Sequence, residues 1–195
     1  MKKILLTGFE PFGGEKINPS WEAVIRLPSK IGEYEITTLC LPVAFGDATE
    51  AVLLAAAEIS PDVIICVGQA GGRGCITPEL VAINLRHATI PDNKGYQPAD
   101  EVILSGGDDA YFSTLPMRKI VNAINDSGIS ATLSYSAGTY VCNDLMYALL
   151  HHFKGSKTRV GFIHIPYSTE QNKEPSMDIA DIVKGLTVAI ESISE

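Results

Sequence analysis

The sequence has no long hydrophobic run, no surplus of positive charge and no closely spaced cysteine pair. Its longest apolar stretches, such as 51–57 and 63–67, fall far short of the roughly 20 residues that cross a bilayer, so no transmembrane helix is expected. Fifteen Lys and Arg stand against 23 Asp and Glu, a net charge of -8, and no basic run offsets that acidity. Neither nucleic acid nor an anionic membrane surface is therefore an expected partner. The apolar run 4–6 meets Thr7, Gly8 and Glu10 too early for a signal-peptide core, which predicts a cytoplasmic protein. Cys40, Cys66, Cys75 and Cys142 lie 26, 9 and 67 positions apart, leaving no Cys-x-x-Cys for zinc or thiol exchange. His87, His151, His152 and His164 form no His-Glu-x-x-His, so neither a metal nor a cofactor is expected.

What is present is 195 residues, 46% of them hydrophobic, enough for one well-buried core and short for two. A single domain over 1–195 follows. Periodicity predicts a strand over 3–7, then a helix over 19–27 with Asn18 as cap and Pro19 at its first position. A strand over 34–43 precedes a helix from 47 to 59, with Asp47 and Glu50 spaced as a capping box. Further strands are expected over 62–67, 76–85, 131–135 and 159–165, and helices over 116–126, 139–153 and 176–193. Ile179, Ile182, Val183, Leu186, Ala189, Ile190 and Ile193 share one face of the last helix, which should cover a sheet. Strands alternating with helices give the fold class α/β: a three-layer α/β/α domain around a mostly parallel mixed sheet, with an antiparallel excursion within 76–104.

In such sheets ligands bind beyond the carboxyl ends of strands. The loop 8–14 holds Gly8, Gly13 and Gly14, but Gly14 and Glu15 stand where a phosphate loop needs Lys and then Ser or Thr. Its aromatics Phe9 and Phe12 suit either a core-packed turn or a pocket for a flat, uncharged ligand. Cys40 and Cys66 lie inside strand patterns and read as apolar filler. Cys142 follows a strand, the turn 136–138 and a helix start, where free N–H groups and the dipole favour a thiolate. A thiol nucleophile needs an imidazole as base and a third group to orient it. His164, near the end of a strand, and Glu79, the lone acid within 76–85, are the candidates. His151 and His152, at a helix end, are explained by the dipole.

Seven ordered motifs span nearly the whole chain: TGFEPFGG at 7–14, INPSWEAV at 17–24, GQAGGR at 68–73, ITPELVAIN at 76–84, IPDN at 90–93, AGTYVCND at 137–144 and GFIHIPY at 161–167. Together they resemble the pyrrolidone-carboxylate peptidases, or pyroglutamyl peptidases I, a family of cytosolic cysteine peptidases. The resemblance implies removal of an N-terminal 5-oxoproline residue from peptides without metal or cofactor. It places the nucleophile at Cys142, the base at His164 and the orienting acid at Glu79. It also implies an apolar pocket for the lactam ring at Phe9, Phe12, Gln69, Tyr140 and Val141, and a homotetramer sharing apolar surface near Phe45 or the loop segments.

Two positions depart from the family pattern. Leu80 and Thr89 stand where the family carries arginines, and Arg86 is the nearby cation that could substitute. Two other readings therefore stand beside the peptidase: a phosphate-dependent enzyme resembling nucleoside phosphorylases, and a catalytically weakened binder of 5-oxoprolyl peptides.

Overall fold

Alternating apolar residues in three neighbouring strands build the two faces of the central sheet. The computed structural model describes residues 1–194; Glu195, the last residue of the predicted domain, lies outside the described residues. The elements run β1 (Lys2–Phe9), α1 (Pro19–Val24), β2 (Lys30–Ile31), β3 (Tyr34–Leu41), α2 (Asp47–Ile59), β4 (Val63–Gln69), β5 (Thr77–Glu79), β6 (Val81–Ile83) and β7 (Ala110–Phe112). There follow α3 (Met117–Asp126), α4 (Val141–His152), β8 (Arg159–Ile165), β9 (Tyr167–Ser168), β10 (Ser176–Met177) and α5 (Ile179–Glu191). The sheet order is β2-β3-β1-β4-β8-β5. Its four central strands are parallel, and β2 and β5 add antiparallel edges.

One face takes Ile4 and Leu6 of β1, Val63, Ile65 and Val67 of β4, and Ile163 and Ile165 of β8, covered by α1, α3 and α5. The other takes Leu5, Phe9, Ile64, Cys66, Val160 and Phe162, covered by α2 and α4. The period of two thus assigns every inward residue to one core or the other. The predicted apolar face of α5 packs as expected on the first core.

Local differences from the sequence reading have physical causes. Asn18 caps α1 by accepting from Ser20 N, but after Val24 the turn tightens into bonds of Arg26 and Leu27 to carbonyls three residues back. The capping box at α2 is absent: Gly46 occupies the cap position, and the Asp47 carboxylate pairs with Lys94 instead. The stretch 76–85 divides into β5, paired with β8, and β6, paired antiparallel with β7 in a separate ribbon. The segment 131–135 lies parallel to β5, bonded through Thr132 N and Ser134 N, but pairs only in isolated bridges. Pro78, facing it, has no N–H to complete the ladder. Ser176 and Met177 form β10 against β9, and α5 starts after its Asp178 cap. Cys40 is exposed rather than filler: on its side of β3 Tyr34 and Ile36 are buried, but Thr38 and Cys40 are not covered. Phe45, expected on a shared surface, is only 8% exposed, packed between Tyr96 and Tyr140. No described helix is long and apolar enough to cross a membrane.

Candidate active site

The sheet register gathers the chemistry on the α4 side. In parallel pairing, Gly68 of β4 lies opposite His164 of β8. On the other side of β8, Thr77 and Glu79 pair with His164 and Phe162, so both point to the face that His164 occupies. The diagonal neighbours meet: His164 Nδ1 lies 2.7 Å from Glu79 Oε1. Glu79 is 0% and His164 4% exposed, so this contact is shut off from bulk water. With the carboxylate ionised, Nδ1 must carry the proton and Nε2 is left free to accept one.

Cys142 reaches the same place from the first turn of α4. A Cβ built on Gly68 would lie 3.0 Å from Cys142 Sγ and 2.8 Å from the Phe162 ring, so the thiol occupies the space a side chain at 68 would fill. This close approach, not a turn, is what requires glycine there. The first turn of α4 is fixed by the two residues that follow. Asn143 accepts from Ile83 N and donates to the carbonyls of Ile83 and Leu85, and Asp144 accepts from Gly46 N and pairs with Arg86. No side chain caps the helix, and the N–H groups of its first turn have no intrahelical acceptor and point to where a developing negative charge could be bound.

The electrostatics favour neutral partners. Burial, reinforced by the charge of Glu79, pushes the Cys142 thiol up to about 12, outweighing the helix start that was expected to favour a thiolate. Burial also holds the His164 imidazole below its ordinary value, although Glu79 pulls the other way. Burial pushes the Glu79 carboxyl up, but the hydrogen bond and charge of His164, followed by Ser134 and Arg73, outweigh it and hold the group below the usual carboxylate range. The resting pair is thus thiol and imidazole. Cys66, enclosed on β4, is likewise pushed up to about 12 and has no such partner.

Of the predicted pocket residues, Phe12 and Tyr140 line a cavity of about 440 Å³ with Gly71, His87, Thr89 and Ile90. Their rings lie 6.2 Å apart. Phe9 and Val141 are buried and do not line it; Phe9 lies against Phe162, whose ring in turn lies 4.7 Å from that of His164. Gln69 accepts from Gln171 through Oε1, leaving its Nε2 to donate. Arg86 does not replace the cation missing at Thr89: its Nε is bound to Asp144 Oδ1 at 2.5 Å and its guanidinium lies over the Phe45 ring. His151 bonds to Tyr111 at the far end of α4. Among the described residues no group of three or more His, Cys, Asp or Glu could hold a metal ion.

Sequence reasoning assigned no role to Arg73, which lies against Glu79 at 2.5 Å. A signal was available, since Arg73 is the lone cation between residues 31 and 85 and sits at the end of a glycine run.

Comparison with known proteins agrees over nearly the full length. A family model described as pyroglutamyl peptidase matches residues 2–195. A pyrrolidone-carboxylate peptidase of Erwinia tasmaniensis is 51% identical, covering 97% of this chain and 92% of its own. One from Thermococcus onnurineus is 50% identical, covering 97% and 98%. Among solved structures, pyroglutamyl peptidase I of Bacillus amyloliquefaciens superposes with a TM-score of 0.95 at 48% identity, covering 99% of this chain and 97% of that one.

Proposed function

This chain belongs to the pyroglutamyl peptidase family, and from that premise we propose that its 195 residues form one peptidase domain that removes an N-terminal 5-oxoprolyl residue from peptides. The observation that carries this reading is the assembly of Glu79, His164 and Cys142 on one sheet face, with Glu79 Oε1 2.7 Å from His164 Nδ1 and the thiol seated on Gly68, the residue opposite His164 across the ladder. Cys142 is the nucleophile, His164 the base and then the acid, and Glu79 the group that orients the ring.

The chemistry follows from the neutral resting pair. Sγ attacks the carbonyl carbon that links the 5-oxoprolyl group to the next residue, while His164 Nε2 takes the thiol proton. The carbonyl oxygen becomes an oxyanion within reach of the free N–H groups at the start of α4. As the C–N bond breaks, Nε2 returns its proton to the leaving amine, and a thioester remains on Cys142. Water then attacks the thioester, giving its proton to Nε2, which hands it back to the departing sulfur. The lactam is flat and neutral, which suits Phe12 and Tyr140 at the cavity and a donating Gln69 Nε2 for its ring carbonyl. Neither metal nor cofactor takes part. The reading includes a cytoplasmic location and the tetramer that the resemblance implies.

The test is release of a fluorescent amine from a 5-oxoprolyl amide, under reducing conditions and without phosphate, by the protein and by Cys142→Ala. Turnover that disappears in the variant supports the peptidase, and turnover that needs phosphate and survives the variant overturns it. A second reading rests on Thr89, which leaves no arginine at the cavity. It expects thermal stabilisation by 5-oxoprolyl ligands with little cleavage, restored by Thr89→Arg.

A further inference from the structure

Glu79 makes both of its strong contacts through one oxygen. Oε1 accepts from His164 Nδ1 at 2.7 Å and from Arg73 Nη1 at 2.5 Å, while Oε2 is buried with no hydrogen-bond partner among the described residues. Arg73 is itself held in place, with Nη1 donating to Thr77 Oγ1 at 2.6 Å and Nη2 to the Ser136 carbonyl at 3.2 Å. Thr77 is the residue opposite His164 in the sheet, so the guanidinium spans the two residues that flank the imidazole on β5.

We infer that Arg73 is a positioning residue: it clamps the Glu79 carboxylate through the oxygen that holds His164, and so sets how strongly that carboxylate can draw a proton onto the imidazole. A carboxylate oxygen shared between two donors gives less to each than one that serves the imidazole alone. The clamp also adds to what keeps the buried carboxylate ionised, and with it the Nδ1–H tautomer that leaves Nε2 free to accept a proton. The charged and titratable groups around His164 are Glu79 from β5, Arg73 from the loop after β4 and Cys142 from α4, with Cys66 behind the thiol on β4. Arg73 is the lone cation of that set and opposes protonation of the imidazole. Its outer side faces a cavity of about 490 Å³, lined also by Cys75, Thr77, Ser134, Tyr135 and Ser136, through which a small cation can arrive from solvent.

This inference rests on the peptidase reading for its role in catalysis, but its direct test needs no turnover. The imidazole of His164 is titrated by NMR in protein labelled with ¹⁵N at histidine, for the unaltered chain and for Arg73→Gln. Loss of the clamp is expected to raise the pH at which the Glu79–His164 pair takes up its proton by about half a unit to one unit. Arg73→Lys, which keeps the charge but loses the fork, should fall between the two. In Arg73→Ala, added guanidinium ion should enter the cavity and bring the midpoint back down, where equal sodium does not. In assays, the acid limb of kcat/KM should move with the NMR midpoint, and kcat should fall several-fold with KM for the amide little changed. A residue that merely supported the loop would lower activity without moving either titration. An unmoved or lowered midpoint in Arg73→Gln overturns the inference, and if that variant does not fold, an unmoved midpoint in Arg73→Lys does so. An inactive unaltered protein with the expected NMR shifts would sink the peptidase reading and leave the clamp standing.

Discussion

Two arginine–carboxylate pairs, one on β5 and one on α4, match closely in geometry. Arg73 meets Glu79 and Arg86 meets Asp144, each at 2.5 Å, with the acids 0% and 1% exposed at their side chains and the arginines 31% and 22%. What differs is the third partner. Glu79 also holds an imidazole, a group that changes its protonation. Asp144 holds the N–H of Gly46, which does not. On the peptidase reading the first pair serves chemistry and the second fixes architecture, so burial and ion-pair geometry alone do not tell a reactive cluster from a structural one. The identity of the next hydrogen-bond partner does.

The sharpest test of this contrast is Glu79→Gln, which keeps the shape but removes the charge that orients and stabilises the imidazole. On the peptidase reading its kcat/KM should fall by roughly 10³ to 10⁴, measured with the 5-oxoprolyl amide, while Tm falls less than in the architectural variant. That variant is Arg86→Met. It strands the Asp144 carboxylate without its cation and should cost about 3 to 5 kcal/mol in denaturant unfolding, with near-normal turnover well below its melting point. If the two variants exchange these phenotypes, the contrast fails.

Gly68→Ala probes the space between the two regions. Its Cβ would crowd Phe162 and the Cys142 sulfur, costing about 1 to 3 kcal/mol and displacing the thiol, so activity should drop more than stability does. A smaller effect concerns acid. Glu79 and His164 are both held below their ordinary values, so each binds fewer protons folded than unfolded and contributes stability that is lost as the pH falls. For His164 the loss begins near the unfolded imidazole value of about 6.5 and continues down toward its folded value. Thermal melts should show Tm declining from there, and His164→Gln should lack that first part of the decline. The smallest effect is expected from Lys154→Met, which breaks the exposed pair with Asp108 and should leave Tm unchanged. A clear drop there would show that exposed pairs matter in this fold.

Much of this was legible in the sequence because the signals were local. The apolar runs at 3–7 and 62–67 marked two strands of the sheet, and the strand 159–165 appears with the predicted ends. Glu79 stood out as an acid in an apolar run, and Cys142 as a thiol at a helix start. What escaped depends on non-local pairing. The split of 76–85 into two sheets follows from β5 pairing with β8 and β6 with β7, partners far away in sequence. The unused capping box at Asp47 reflects competition from Lys94. Arg73 was read only as part of a glycine-rich motif, since nothing in its spacing announces that the loop folds back onto Glu79. Arg86 was weighed as a stand-in at Thr89, but its true partner Asp144 lies 58 residues away.

The vacancy at Gly68 has one further consequence. Because the thiol rests where that residue's side chain would be, and His164 is the neighbour of Gly68 across the ladder, the separation of sulfur and imidazole is tied to the spacing of two hydrogen-bonded strands, about 4.8 Å in any sheet. The backbone serves as a ruler for one end of that distance, and the Asn143 and Asp144 side chains that anchor α4 set the other. A reactive geometry gauged in this way is inherited with the fold itself, and it persists for as long as position 68 stays empty.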